Sequence, residues 1–402
     1  MVSKVLQGRF GDARGSARVD TSLYHVSPQD LSPYLLLLLL LPSLLCTSEV
    51  TPEPCELDDK DYLCSCNFSD PEPDWSSGFQ CMVAYKVEIR AGGRNLEKFL
   101  KHADTSPRQY SDVVKGLRVR ELTVGAARVP ARLLFALLRA LGHSRLRELT
   151  LEDLEITGTL PPALEAAGPA LSTLRLRNVS WAAGGAWLAE LQQWLRPNLK
   201  ELGIVQAQPL AFSCEQLRSF PSLATLDLSD NPGLGEGGLA ATLCGHKFPA
   251  LQDLRLRNAG METLSVVCET LVAAVVQPHH LDLSQNALRA SAHLGAPGCV
   301  WPSTLKSLNF SFAGLEQVPK GLPAKLRVLD LSCNRLSRAP RPDELPEVEK
   351  LILDGNPFMD PESPKPYGDS MNSSVARTCV YWLLATGLSG SLVLFLGNWN
   401  FV

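Results

Sequence analysis

The chain has 402 residues, a formal net charge of -4 and 20% charged residues. This balance has no basic excess and argues against nucleic acid as a partner. Length alone would allow two or three domains, but a solenoid grows by adding repeats, and the repeats described below predict one elongated domain.

Residues 1–48 are predicted to be a leader and signal peptide that is removed. Leu35–Leu45 is an apolar run of eleven residues, too short to span a bilayer and typical of a signal-peptide core. Small residues at Cys46 and Ser48 predict cleavage before Glu49. A buried helix is the alternative for the apolar run. Residues 1–33 show no apolar period and are excluded from the fold.

Four cysteines follow with the spacing of the N-terminal caps that close many extracellular leucine-rich solenoids: Cys55, Cys64, Cys66 and Cys81. In caps of that type the disulfides interleave, which implies Cys55 with Cys66 and Cys64 with Cys81. A zinc site is the alternative. It would lack a C-x-x-C pair, and a secreted route makes disulfides the default.

The segment from Met82 to Leu117 is both basic and apolar. Val83–Ile89 alternates and predicts a cap strand, whereas Leu96–His102 and Tyr110–Leu117 carry apolar residues at helix-like intervals. This is the only part of the chain where basic and apolar residues coincide in this way. It is therefore the candidate binding region, with the solvated face of an ordinary cap as the alternative.

The rest of the chain repeats one pattern. Leu326–Leu336, LRVLDLSCNRL, matches the leucine-rich-repeat template L-x-x-L-x-L-x-x-N-x-L at every fixed position. The leucines that open successive L-x-L strands are 21 to 28 residues apart and are Leu122, Leu149, Leu174, Leu202, Leu226, Leu254, Leu281, Leu308, Leu329 and Leu351.

The template asparagine should hydrogen-bond the backbone of the turn that follows the strand. It occurs at Asn231, Asn286, Asn334 and Asn356. Elsewhere it is replaced, for example by Ala127, Val179, Ala207, Ala259 and Ala313. The pattern predicts an α/β leucine-rich-repeat solenoid, a horseshoe with a parallel concave β-sheet and irregular convex helices and loops. We assign residues 49–117 to the cap and pocket region and residues 118–358 to the repeats.

Two convex helices are predicted from amphipathic spacing, at Leu133–Leu141 and Trp187–Leu195. Their leucine and tryptophan stripes are expected to be core.

Four further cysteines fall in connecting segments about one repeat apart. Pairing Cys214 with Cys244 and Cys268 with Cys299 uses all four. Since Cys46 and Cys379 are expected to be removed with the ends of the chain, Cys333 is then predicted to be a free thiol.

N-glycosylation is predicted at Asn67, Asn178 and Asn309. Asn309 is the middle residue of an L-x-L strand, so its glycan should project from the concave sheet and obstruct that surface.

Catalysis is not expected. Asp227, Asp282 and Asp330 lie on the concave strands, where paired carboxylates suggest acid–base chemistry or calcium, but the template often places a polar residue there. H-E-x-x-H, G-x-S-x-G, Walker and dinucleotide-binding motifs are absent from the sequence. The sequence favours a binding module with no catalytic residue, metal or cofactor.

Residues 359–372 are predicted to be a proline-containing stalk. Beyond it, Val380–Leu396 is apolar and runs almost to the end of the chain. The small residues Asn372, Ser373 and Ser374 and a short spacer precede it, a pattern typical of a GPI signal. We expect attachment at Asn372 and removal of residues 373–402, with a membrane-spanning helix as the alternative.

Longer strings carry a family resemblance from about Thr51 to Ser374. They include TPEPCELDD from Thr51, EIRAGG from Glu88, LTVGAARVPARLL from Leu122 and FAGLEQVPKGLPAKLRVLDLSCNRL from Phe312. These strings resemble the family of mammalian monocyte differentiation antigens, the lipopolysaccharide co-receptors of myeloid cells.

The resemblance implies a pattern-recognition co-receptor that is GPI-anchored to the outer leaflet of the plasma membrane or secreted in soluble form. It would accept monomeric lipopolysaccharide, and other microbial lipids, from a lipopolysaccharide-binding serum transfer protein. It would pass the lipid to Toll-like receptor four and that receptor's lipid-binding co-receptor, and so trigger innate immune and inflammatory signalling. The oligomeric state stays open, a homodimer included.

The family's binding segments map onto Asp58–Tyr62, Glu88–Gly93, Asp104–Tyr110 and Val124–Pro130. In the first segment Lys60 interrupts a run that the family usually keeps acidic.

We therefore predict a lipid pocket between the cap and the first repeat. Its apolar lining is Val87, Ile89, Phe99, Leu100, Tyr110, Val113, Leu117, Val124, Val129, Leu133 and Leu134. Its headgroup rim is Asp58, Asp59, Asp61, Tyr62, Arg90, Arg94, Lys101 and Arg108. Each methylene buried there would contribute about 0.8 kcal/mol. The alternative is an adhesive or matrix leucine-rich-repeat protein that binds a protein ligand on its concave face.

Overall fold

The structure is a computed structural model. The residues it describes are 54–69, 75–90, 116–142, 144–158, 169–181, 191–192, 195, 197–207, 210, 212, 214–215, 217–288 and 300–359. The chain divides into a unit of residues 1–52 and a unit of residues 53–402, and all described residues belong to the second.

The described residues form one sheet whose strands follow the order of the chain. The strands are β1 (Cys55–Asp58), β2 (Leu63–Asn67), β3 (Lys86–Arg90), β4 (Glu121–Pro130), β5 (Glu148–Thr157), β6 (Thr173–Trp181), β7 (Glu201–Val205), β8 (Thr225–Asp227), β9 (Asp253–Arg255), β10 (His280–Asp282), β11 (Ser307–Asn309), β12 (Lys325–Asp330) and β13 (Glu347–Ile352). β1 and β2 form an antiparallel hairpin, and every later pairing is parallel.

The ten predicted leucines lie in one row across this sheet. Each is paired with the next, from Leu122 opposite Leu149 to Leu329 opposite Leu351. The row continues into the cap, where Val87 lies opposite Leu122 and Cys64 lies opposite Val87. All but Leu351 are buried, and a fully buried leucine contributes about 1.5–3 kcal/mol. The leucine-rich-repeat solenoid is confirmed.

The backbone turns sharply four residues after each leucine of this row. In all ten repeats the residue there has φ between 49° and 72°. The residues are Ala126, Asp153, Asn178, Gln206, Asp230, Asn258, Gln285, Phe312, Cys333 and Gly355. Left-handed backbone is uncommon outside glycine, and Asn and Asp adopt it most readily. Because the residue types are so different, the sequence pattern did not reveal this turn.

The template asparagines follow that turn and are buried. Asn334 donates from Nδ2 to the carbonyls of Phe310 and Leu331, and its Oδ1 accepts the N–H groups of Ala313 and Leu315. The contact with Leu331 lies within the asparagine's own repeat, as predicted. The contacts with Phe310, Ala313 and Leu315 join Asn334 to the preceding repeat.

Three α-helices are described: α1 (Ala131–Leu141), α2 (Gly235–Leu243) and α3 (Leu264–Ala273). α1 contains the first predicted helix. Most of Trp187–Leu195 lies outside the described residues, but Leu191 and Gln192 are helical and buried. Helix α2 was not predicted, because its sequence GEGGLAATL is rich in glycine. Burial of Leu239 and Leu243 against the core stabilises it instead.

The predicted cap strand Val83–Ile89 begins later than expected. Residues Trp75–Val83 form a 3₁₀ helix, so β3 starts only at Lys86. Two further 3₁₀ helices, Pro342–Glu344 and Pro357–Met359, flank β13.

Disulfides close the cap and link one pair of repeats. The structure joins Cys55 to Cys66, Cys64 to Cys81 and Cys214 to Cys244, the pairings expected from the sequence. Within the cap, the Sγ atoms of Cys55, Cys66 and Cys81 lie within 4.8 Å of one another. They form parts of two adjacent disulfides rather than a zinc site.

The prediction of a free thiol at Cys333 is wrong. Cys268 and Cys333 are both disulfide-bonded, each to a cysteine outside the described residues. The prediction rested on removing Cys46 and Cys379 from the count and on pairing Cys299 with Cys268.

The predicted leader, signal peptide and GPI signal, including Asn372 and almost all of the stalk, lie outside the described residues. Among the helices that are described, none is long and apolar enough to cross a membrane.

Candidate functional site

The described part of the predicted pocket lining faces one side of the sheet. Val87 and Val124 are buried, at 8% and 2% exposure, and Ile89 packs against the same core. Val129 follows the turn of β4 and Leu134 lies in α1, and both are also buried. Leu117 is half-buried against this cluster. These six side chains therefore form a continuous apolar layer beneath the start of the repeats.

The remainder of the predicted lining lies outside the described residues: Phe99, Leu100, Tyr110, Val113 and the side chain of Leu133. The same is true of three predicted rim cations, Arg94, Lys101 and Arg108.

The described rim residues do not lie together. Asp58, Asp59, Asp61 and Tyr62 form the hairpin turn that precedes β2, at the amino-terminal edge of the parallel strands. Arg90 ends β3, at the opposite edge, opposite Asn67. A five-residue strand separates these edges by roughly 13 Å, at 3.3 Å per residue. The acidic turn and Arg90 therefore lie at opposite edges of the sheet, and a headgroup rim that contains both stays a prediction.

An aromatic pair that the sequence did not reveal occupies the amino-terminal edge. The rings of Tyr62 and Tyr85 meet edge to face with centroids 5.3 Å apart, and the Arg120 guanidinium lies 5.5 Å from the Tyr85 centroid. Tyr62 is 50% exposed and Tyr85 is 38% exposed. The acidic hairpin turn thus lies beside a cation–π cluster.

Arg90 is already paired at the other edge. Its guanidinium contacts Glu88 at 3.1 Å and Glu152 at 3.5 Å. Glu152 lies two strands away, and it reaches Arg90 across Gly125, which is paired with both residues. A Cβ at Gly125 would lie 3.0 Å from Glu152 Cγ. Glycine at this position therefore leaves room for the ion pair.

Charges continue along the same face of the sheet. Lys86 contacts Glu121 at 3.0 Å, and this hydrogen bond and charge raise the pKa of Lys86. Arg175 bridges Glu148 and Glu201 at 3.4 and 3.0 Å. Because these pairs are exposed, each contributes little to stability.

The concave carboxylates cap turns. Asp227, Asp282 and Asp330 each accept the backbone N–H of the serine two residues later, at 2.9 to 3.0 Å. Asn309 accepts from Ser311 in the same way at 2.9 Å. This shared geometry explains the polar residue in the template without acid–base chemistry or calcium.

The predicted glycosylation sites are accessible to different extents. Asn67 and Asn178 are exposed, whereas Asn309 is half-buried between Asp282 and Asp330 on the neighbouring strands.

In-register repeats behind a disulfide-bonded cap define a leucine-rich-repeat binding module. No protein-family model matches the chain. The chain is 67% identical to monocyte differentiation antigen CD14 of Homo sapiens over 369 residues, which cover 91% of this chain and 98% of that protein. The antigen of Bos taurus is 66% identical over 370 residues, with coverage of 92% and 99%. The chain belongs to the monocyte differentiation antigen CD14 family.

A more distant similarity extends to another class of receptor. Toll-like receptor 2 of Equus caballus is 32% identical over 162 residues, covering 40% of this chain and 20% of that protein. Family membership and this similarity identify a cell-surface pattern-recognition co-receptor of innate immunity.

Proposed function

We propose that the protein binds monomeric lipopolysaccharide, and other microbial lipids, in an apolar pocket at its N-terminal end and transfers it to a Toll-like receptor complex. The observation that carries this proposal is the apolar layer of Val87, Ile89, Val124, Val129 and Leu134. In the sequence, the basic and apolar segment 91–115 connects the two strands that carry Ile89 and Val124.

The strands of this region favour an enlarged apolar interior. β4, β5 and β6 are nine or ten residues long, so they continue past the turn and place Val129, Ile156 and Trp181 in the buried layer. Acyl chains require such a surface, because each buried methylene contributes about 0.8 kcal/mol.

The charged residues at the two edges of the sheet would then contact different partners. On the carboxyl-terminal edge Arg90 is held by two carboxylates, so a phosphate there would have to compete with Glu88 and Glu152. The undescribed cations Arg94, Lys101 and Arg108 are the better candidates for the headgroup. The acidic turn with Tyr62 and Tyr85 is free to contact a protein partner, such as the serum transfer protein or Toll-like receptor four with its lipid-binding co-receptor.

A matched pair of substitutions tests the pocket. Ile89 and Leu353 are both half-buried, and each lies two residues after a member of the leucine row, at opposite ends of the sheet. We expect Ile89→Glu to weaken binding of fluorescent lipopolysaccharide at least about tenfold, since a charge would lie against the acyl chains. Leu353→Glu should leave binding unchanged. Thermal unfolding of both variants controls for folding, and equal binding losses in two folded variants would refute the pocket.

We further propose a GPI anchor at Asn372 together with a soluble form. A phosphatidylinositol-specific phospholipase should release the protein from cells, and full retention would contradict the anchor.

A further inference from the structure

A groove of about 650 Å³ lies beyond the carboxyl-terminal ends of β6 to β9. It is separate from the apolar layer of the proposed pocket. Its lining comprises Asn178, Gln206, Ala207, Leu210, Asp230, Asn231, Pro232, Gly233, Leu234 and Asn258.

The polar side of the groove is a row of left-handed turn residues. From β5 to β10, six successive turns carry a carboxamide or a carboxylate. They are Asp153, Asn178, Gln206, Asp230, Asn258 and Gln285. Neighbouring strands lie about 4.8 Å apart, so these side chains are evenly spaced.

Contacts between turns involve the amides of Asn178 and Asn258 but not that of Gln206, which also lines the groove. Asn178 Nδ2 donates to Asp153 Oδ1 at 2.7 Å, and Asn258 Nδ2 donates to Asp230 Oδ1 at 3.3 Å. Gln206 lies between these pairs and is exposed, and no described residue accepts from or donates to its side chain. Its donors and acceptor therefore point to a ligand in the groove.

The opposite wall of the groove is held firmly. Gly260 supports Pro232 so closely that a Cβ there would lie 2.2 Å from the Pro232 carbonyl oxygen. Glu236 accepts the backbone N–H groups of Glu262 and Thr263, both at 2.8 Å. These contacts fix the 231–236 turn, which forms this wall, to the next repeat.

The chemistry of the lining indicates an uncharged, polyhydroxylated ligand. Asp230 is the only ionisable lining residue, and Arg257 neutralises it. No cation lines the described groove, which disfavours phosphate. Amide groups match the paired donors and acceptors of sugar hydroxyls, and Leu210 and Leu234 offer aliphatic surface to the C–H faces of a sugar ring.

We propose that this groove binds the saccharide chain of the glycolipid whose acyl chains occupy the N-terminal pocket. The inference rests on the proposed function for the identity of that glycolipid. The groove begins at β6, two strands from β4, a separation of roughly 10 Å. A saccharide that leaves the pocket at the carboxyl-terminal edge would therefore meet the row of turns directly.

Gln206→Ala tests the groove, and Gln285→Ala is its matched control. Both remove the same amide from the same turn position, but Gln285 does not line the groove. Alanine is accepted at this turn, since Ala126 occupies it with φ 52°. For lipopolysaccharide with a complete core oligosaccharide, Gln206→Ala should weaken binding about three- to tenfold, the loss expected for one or two hydrogen bonds. Binding of the lipid moiety alone should not change, and Gln285→Ala should change neither.

An unchanged affinity of Gln206→Ala for the complete molecule, or an equal loss for both ligands, would overturn the proposal. A wild-type protein that binds no lipid moiety would refute the proposed function instead. The groove would then be tested by NMR with the delipidated core oligosaccharide, where saturable binding lost in Gln206→Ala supports it and equal spectra for both proteins overturn it.

The protein's own glycan is the competing occupant, because Asn178 lines the groove. If Asn178→Gln raises the affinity for the complete molecule while Gln206→Ala has no effect in the glycosylated protein, the glycan fills the groove and the proposal is wrong.

Discussion

Strands β4 to β6 and strands β8 to β13 differ at the residue that follows the left-handed turn. In the first group this residue is apolar: Ala127, Leu154 and Val179 pair with one another as the strands continue beyond the turn. In the second group the strands are three to six residues long. There the turn is followed by asparagine in four strands (Asn231, Asn286, Asn334 and Asn356) and by alanine in β9 and β11 (Ala259 and Ala313).

The two groups satisfy the backbone beyond the turn in different ways. Continued strand pairing satisfies it in β4 to β6. In the later repeats, the asparagine also satisfies backbone groups of the preceding repeat. The N–H groups of Ala207, Ala259 and Ala313 each donate to the asparagine of the following repeat.

This difference separates the later repeats from the N-terminal repeats, where we propose the lipid pocket. A buried side-chain amide closes the edge of the later repeats with polar contacts. Strand pairing requires no side-chain amide, so β4 to β6 add apolar residues beyond the turn. The N-terminal repeats thus provide the apolar interior that a lipid pocket requires.

The largest effect is expected from Asn286→Ala. Its side chain donates to the carbonyls of Leu256, Leu283 and Ser284 and accepts the N–H groups of Ala259 and Met261. Leaving these buried groups unpaired should lower the free energy of unfolding by about 3 kcal/mol or more. Denaturant unfolding measures the loss. Gln285→Ala, one residue away, should cost less than about 1 kcal/mol, and similar losses in both variants would contradict the role of the asparagine.

A smaller loss is expected when an asparagine is placed in the other group. Val179 is 3% exposed, and its neighbours are paired strand to strand. Val179→Asn would bury an amide without partners and should cost about 2 kcal/mol. The exposed substitution Arg177→Asn, in the same strand, controls for the residue type, leaves the Asn178 sequon intact and should be nearly neutral. If Val179→Asn leaves the stability unchanged, asparagine contacts like those of the later repeats can also form in β6. That result would refute the difference proposed between the two groups of strands.

The smallest effect concerns an ion pair in the loop between β12 and β13. Arg338 Nη1 donates to Glu344 Oε2 at 2.8 Å, and this hydrogen bond, with one from the Arg341 backbone, lowers the pKa of Glu344 from 4.5 to about 2. A lowered carboxyl pKa stabilises the fold above about pH 4.5, and the contribution disappears as the pH falls towards about 2.

Glu344→Gln should remove this small acid-dependent part of the stability. Thermal unfolding of wild type and variant at pH 5 and pH 2.5 checks it: the two melting temperatures should differ at the higher pH and converge at the lower. A constant difference across this range would assign the effect to packing instead of charge.

The sequence by itself determined the repeat register. Alternation within L-x-L is a local property, and every strand must bury its leucines against the same core. One template was therefore enough to place all ten leucines in one row. Cysteine spacing likewise predicted the joined pairs of the cap and Cys214 with Cys244.

Only the tertiary structure decided features that depend on neighbouring repeats. The left-handed turn occurs with very different residue types, since the leucines before and after it impose the backbone path. The partners of the asparagines lie one repeat earlier, and Glu152 reaches Arg90 only because Gly125 lies between them. The acidic turn and Arg90 are 28 or more residues apart along the chain and had been assigned to one rim, but parallel pairing of β2 with β3 places them at opposite edges. Charge and apolar composition along the sequence therefore led to the proposed binding end, whereas strand direction determined at which edge of the sheet each charge lies.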